Sequence, residues 1–184
     1  MDDSKIIELF YERSEQAIVE LSKKYGATCH KIAFNILKND SDAEECVNDA
    51  YLGVWNTIPP QNPKPLLAYI CRIVRNISVN RYRKNTAKKR NSYYDVALDE
   101  LENCLPMSEE DDPISASELS QLLDDFLDGL DKTNRIMFVR RYWFSDSVSD
   151  IASRLGMKDH TVVVRLSRTR EKLRQYLLKK GVEI

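Results

Sequence analysis

The densest run of chemically capable side chains is AYICRIVRNISVNRYRKNTAKKR, residues 68–90, with eight Lys and Arg and no Asp or Glu. Guanidinium and ammonium groups without carboxylate neighbours are suited to a polyanion: phosphate, acidic protein or anionic lipid. A second cationic run, VSDIASRLGMKDHTVVVRLSRTREKLRQYLL, occupies residues 148–178. Other chemistry finds little material. Cys29, Cys46, Cys71 and Cys104 are scattered, with the spacing of neither a zinc site nor a disulfide framework, so reduced, buried or half-buried thiols are expected. His30 stands beside Cys29 without a second ligand cluster and is expected in ordinary packing or at the surface. No nucleophile–base pair and no Gly-rich phosphate loop is present, so neither an enzyme, a metal site nor a cofactor is expected.

The charges are arranged in blocks that the overall net of −1 conceals. Residues 1–63 sum to −5, 64–90 to +9, 91–131 to −13 and 132–184 to +8. Two cationic surfaces separated by an acidic stretch describe partners rather than fold. No run of about 18 apolar residues exists, so a spanning helix is not expected. The start, MDDSKIIELF, is acidic without an apolar core, unlike a secretory signal. The expected location is therefore the cytoplasm, with no membrane insertion.

The elements that must position these charges read as helices throughout, with apolar residues at helical spacing and only 5 Gly in 184 residues. From Arg13 to Lys38 the pattern gives one long helix or two collinear ones, with Gly26 the weak point. Ser41 and Glu44 form a capping box for the next helix, whose apolar face is Ala43, Cys46, Val47, Ala50, Tyr51 and Val54. The prolines of PPQNPKP end it, and Pro65 suits the first position of the helix that carries the basic run. Residues 93–113 are acidic and read as a linker with little fixed structure. Ser115 and Glu118 open another helix with a leucine stripe. Two helical domains and a tether result: all-α, 1–92 and 115–184, joined by an acidic flexible linker over 93–114.

On a helical wheel of about 100° per residue, the first basic helix divides into two faces. Leu66, Ile70, Ile73, Val74 and Ile77 form a core stripe, with Arg72, Arg75, Asn76, Val79, Asn80 and Arg83 opposite. Exposed helices usually mix signs to gain i,i+4 pairs, so a one-sign face suits an anionic partner. The apolar face is needed for packing, which disfavours lipid and favours nucleic acid. Val79, apolar amid that cationic face, has no explanation at this level.

In the second block, Val148, Ile151, Ala152 and Leu155 share a face that Gly156 terminates. A longer basic helix follows, with Val162, Leu166, Thr169 and Leu173 inward and Thr161, Val164, Arg165, Arg168 and Lys172 outward. Val163 falls beside the core face. Short helix, glycine turn and longer basic helix is the pattern of a helix-turn-helix, which puts its second helix in the major groove.

These segments together resemble the small two-domain sigma factors of bacterial RNA polymerase, the extracytoplasmic-function group. SDAEECVNDAYLGVW is similar to the family's clamp-binding helix, LLAYICRIVRNISVNRYRK to its promoter-melting helix, and DIASRLGMKDHTVVVRLSRTREKLR to its minus-thirty-five-reading unit. The resemblance runs from about residue 8 to 178. It implies polymerase contacts at Glu45, Asn48, Asp49 and Leu52, and minus-ten DNA contacts at Arg72, Arg75, Asn76, Asn80, Arg83 and Lys84. It places the PPQNPKP loop near a flipped base, and Lys158, His160, Thr161, Val164, Arg165 and Arg168 at the minus-thirty-five element. Core RNA polymerase and promoter DNA are the implied partners, and the family leaves room for an anti-sigma protein. Departures occur at Val163 and Val164, where the family often has Lys and Ser. Lys158 replaces the usual cap serine, and Asp159 is expected to cap in its place. Trp55 and Trp143 are expected in the core, and Tyr69 and Tyr82 flank the basic face. The rival readings are a stand-alone helix-turn-helix regulator, which would need a dimer surface, and an adaptor for acidic proteins.

Overall fold

The structure, a computed structural model, describes residues 1–85, 93–101, 104–105 and 116–182. Every regular element among them is helical, and the chain divides into two compact units, 1–92 and 93–184.

The first unit packs four helices: α1 (Asp3–Tyr11), α2 (Gln16–Leu37), α3 (Asp40–Thr57) and α4 (Leu66–Asn85). α1 contributes Ile6, Ile7 and Phe10 to the core. α2 runs unbroken through Gly26. A Cβ at that position would stand 3.2 Å from the Tyr51 hydroxyl, so the glycine serves a close approach of α2 and α3. The turn into α3 is made by Lys38 in the left-handed region, φ 54°. Asn39, not Ser41, caps α3: its side chain accepts the Asp42 N–H at 3.0 Å. Asn is as strong a cap as Ser, and it stands where the backbone is still extended. Inside α3 the expected face is buried in full.

α4 buries a wider arc than one stripe because it packs against both α2 and α3. Leu66, Ile70 and Val74 are buried as expected, but Tyr69, Cys71, Ser78 and Val79 are buried too, and Ile73 and Ile77 only partly. Val79 is 7% exposed and belongs to the core rather than to the cationic face.

The second unit comprises α5 (Tyr93–Leu101), α6 (Ala116–Asp128), α7 (Lys132–Phe138), a π-helical turn over Val139–Trp143, α8 (Val148–Leu155) and α9 (Asp159–Lys179). Its core gathers Phe126, Met137, Phe138, Tyr142, Ile151, Val162, Leu166, Leu173 and Leu177. Asp131 caps α7 and Ser147 caps α8, each accepting a backbone N–H three residues on. Gly156 ends α8 at φ 64°, a conformation that side chains strain. Lys158 occupies the cap position of α9 without a side-chain cap. Asp159 is the first helical residue, where its charge meets the positive end of the helix dipole.

The expectation of little structure over 93–114 fails for its first part. α5 is a helix of this unit, and Ala97 and Cys104 are buried in it, with Leu101 and Leu105 packed alongside. Ala97 and Leu101 are one turn apart on α5, a helical spacing obscured by the acids between them, and Cys104 and Leu105 follow beyond its end. The acids at 102 and 109–112, the Ser115 cap and the basic residues 88–90 lie outside the described residues.

Candidate nucleic-acid interface

α4 presents Arg72, Asn76, Asn80 and Lys84, all exposed, along a single i,i+4 ridge. At 1.5 Å per residue the ridge spans about 18 Å. Arg83 is exposed beside it and Arg75 is half-buried. The Arg72 guanidinium lies 5.6 Å from the centroid of the Tyr69 ring. Tyr69 itself is buried and donates to Thr57 Oγ1 at 2.8 Å, which ties α4 to the end of α3 and keeps the ring from an outside base.

Arg81 is the residue that sequence reasoning missed. It is half-buried and pairs with Glu45 at 2.7 Å and with Asp42 at 3.7 Å, both on α3. The acids that offset part of α4's charge are thus supplied across a helix interface, beyond the reach of an i,i+4 search. Glu45, Asn48, Asp49 and Leu52 follow i, i+3, i+4, i+7 and form the exposed stripe of α3 opposite its buried face. Leu52 is 57% exposed, an apolar side chain at the C-terminal end of this otherwise polar stripe. Glu45 already has one partner in Arg81.

Before α4, residues 62–66 and α1 enclose a groove of about 630 Å³ lined by Asp3, Ile7, Tyr11, Asn62, Pro63 and Lys64 among others. The Tyr11 hydroxyl donates to the Pro60 carbonyl at 2.9 Å and fixes one wall. Asp3 accepts from both Lys24 Nζ and the Tyr25 hydroxyl, each at 2.6 Å, which moors α1 on α2. Burial alone would raise the Asp3 pKa, but these donors outweigh it and hold the carboxyl below its ordinary value.

On α9, Lys158, His160, Thr161 and Arg168 are exposed, while Val164 and Arg165 are half-buried. The two valines exchange their expected places: Val163 is 48% exposed and Val164 is the more covered. Val164 has long side chains one turn away on either side, His160 and Arg168, whereas Val163 has the short Asp159 and Ser167. Trp143, expected in the core, is 40% exposed, whereas Trp55 is half-buried against Phe10 and Arg13.

A buried ionic node holds α5 in the second unit. Arg141, 3% exposed, donates to Glu100 through Nη2 at 2.6 Å and Nε at 3.2 Å, and to the Asp146 carbonyl at 3.0 Å. The Tyr142 hydroxyl donates to the same carboxylate at 2.9 Å, and Arg170 of α9 approaches it at 3.2 Å. Burial would raise the Glu100 pKa; the Arg141 and Tyr142 donors outweigh it and hold the carboxyl low. The burial raises the pKa of the Tyr142 hydroxyl, which stays protonated and a donor.

His30 stacks on Phe34, with Nε2 3.5 Å from Asp40. No cluster of metal-ligating side chains occurs among the described residues. All four cysteines are free and buried. No helix among the described residues is long and apolar enough to cross a membrane.

Comparison with known proteins matches a segment of each unit. The family model described as Sigma-70 region 2 matches residues 21–88, and that described as Sigma-70, region 4 matches residues 120–173. The ferric citrate uptake sigma factor FecI of Escherichia coli is 28% identical over 126 residues, 68% of this chain and 70% of that protein. The ECF RNA polymerase sigma factor SigE of Mycolicibacterium smegmatis is 26% identical over 167 residues, 89% of this chain and 63% of that protein. The chain thus spans less than two-thirds of the mycobacterial relative's length. Among solved structures, CnrH in complex with the cytosolic domain of CnrY aligns over 97% of both chains, with 20% identity and a TM-score of 0.44.

Proposed function

The chain belongs to the sigma-70 family, in its extracytoplasmic-function group of RNA polymerase sigma factors, and on that premise we propose which of its surfaces meets which partner. The exposed stripe of α3, with Leu52 at its end and Asn48 and Asp49 one turn before it, docks on core polymerase. The α4 ridge of Arg72, Asn76, Asn80 and Lys84, with Arg75 and Arg83, holds one strand of the opened minus-ten element. The groove beside Asn62 and Lys64 receives a base turned out of that strand, at an unstacking cost of a few kcal/mol. α9 reads the minus-thirty-five duplex from Lys158, His160, Thr161, Val164, Arg165 and Arg168. The protein does no covalent chemistry of its own and works where polymerase and promoter DNA are, in the cytoplasm.

One observation carries this reading. The buried arc of α4 is consumed by α2 and α3, so only its cationic and amide ridge is left to bind, which suits nucleic acid and leaves no apolar face for lipid. A stand-alone helix-turn-helix regulator would need only the second unit. The region 2 match over 21–88 adds the half that such a regulator lacks.

The test separates the two surfaces of the first unit. Leu52→Arg is expected to abolish capture by purified core polymerase. The pair Asn76→Ala and Asn80→Ala is expected to keep that capture but to lower promoter opening by roughly tenfold or more, since each lost base contact costs about 1–3 kcal/mol. Core binding by Leu52→Arg at the level of the parent, or unchanged opening by the asparagine pair, contradicts the assignment.

A further inference from the structure

Val163 has no structural reason to be a valine. It is 48% exposed and takes no part in the core of its unit, whose α9 members are Val162, Leu166, Leu173 and Leu177. Valine is also a poor helix former, because its branched side chain loses rotamer freedom against the preceding turn. It stands in the second turn of α9, flanked on the exposed side by His160 one turn before it and Ser167 one turn after it. Arg165, Arg168 and Lys172 lie further round the same helix and supply charge complementary to phosphate, while Val163 stays at the N-terminal end, which a recognition helix turns toward the bases.

We propose that Val163, with the partly covered Val164 beside it, is a thymine reader: an apolar contact for the 5-methyl group of T in the upstream element. The inference rests on the assignment of α9 as the helix that reads duplex DNA. In the major groove only thymine offers a methyl group, while G, A and C present donors and acceptors. Valine can satisfy none of those, so packing it against them strips water from polar edges without replacing the hydrogen bonds. The side chain therefore both favours T and penalises the other bases. A Lys or Arg at this position would seek guanine instead.

The test uses holoenzyme reconstituted from core polymerase and the full chain. An upstream element is first selected from a randomised duplex library, and each of its thymines is then replaced by deoxyuridine, which removes only the methyl. At one thymine, or two adjacent ones, the replacement is expected to weaken binding by the parent about fourfold, the size of one buried methyl. Val163→Ala is expected to lose that sensitivity, and Val163→Thr, which keeps a branched methyl, to retain it. An enriched element with no uracil-sensitive position overturns the proposal alone, as does Val163→Ala showing the same loss at the same position. A Val163→Ala defect equal on all DNA and traced to core binding also overturns it, because the valine then faces a protein. A library in which no upstream sequence is enriched overturns the assignment of α9 and the proposal with it.

Discussion

Replacing Glu100 with glutamine isolates the node that fastens the acidic helix α5 into the second unit. The substitution keeps the shape and one acceptor but removes the charge facing Arg141, a guanidinium only 3% exposed. Arg141 would retain the Asp146 carbonyl at 3.0 Å and lose its 2.6 Å bond to a carboxylate. Removing one partner of a fully buried pair costs about 3–5 kcal/mol. The Glu100 side chain is 24% exposed and the amide still accepts one hydrogen bond, so about 2 kcal/mol is expected. The two tryptophans supply the assay, because Trp55 lies in the first unit and Trp143 in the second. In a Trp55→Phe background, Trp143 fluorescence follows the second unit alone. With a urea slope of about 2 kcal/mol/M, the unfolding midpoint of that unit falls by roughly 1 M. The pH dependence supplies a second check. The Glu100 carboxyl is held below its ordinary 4.5, so its contribution is complete above that value and is lost as pH falls through the lowered folded-state pKa. The parent and Glu100→Gln midpoints should therefore converge in acid. An unchanged midpoint at pH 7, or a gap that persists undiminished in acid, refutes the reasoning.

Asn39→Ala should lower the stability of the first unit by about 1 kcal/mol through loss of the α3 cap, read from Trp55 fluorescence in a Trp143→Phe background. Gly156→Ala should cost the second unit roughly 1 kcal/mol from left-handed backbone strain alone, since no atom lies within 4 Å of the added carbon. A stabilised variant would contradict that conformation. The four buried thiols should react slowly with an aromatic disulfide reagent until the protein is unfolded. Cys29 is the extreme case, its pKa pushed up by the hydrogen bond with Cys71 and by burial. Even one fast-reacting thiol in the native protein would contradict the packing.

What the sequence made legible is what a single helix can express. The buried face of α3, the Gly156 turn and the inward positions of α9 follow from periodicity, and all are found. Misreadings arise where two helices decide the outcome. Val79 lies on the polar side of a wheel drawn for one neighbour, but α4 has two. Arg81 and Glu45 are far apart in sequence and meet only once α3 and α4 pack. The helix α1 is not legible in the sequence because Ile6, Ile7 and Phe10 make too short a pattern. α5 is hidden by its acidity, which suggests an unstructured segment, although Glu100 is neutralised inside its own unit by Arg141 and Arg170. Glu100 is thus an internal anchor of the second unit, whereas Asp99 beside it is exposed.

The most direct measurement is transcription in vitro with purified core polymerase, this protein and fragmented genomic DNA, with the transcript starts mapped by sequencing. Starts are expected at discrete positions sharing an upstream and a minus-ten element, lost together when the protein is omitted or when Leu52→Arg replaces it. Sequence-specific DNA binding by the protein alone, with no start that depends on it, would contradict the account.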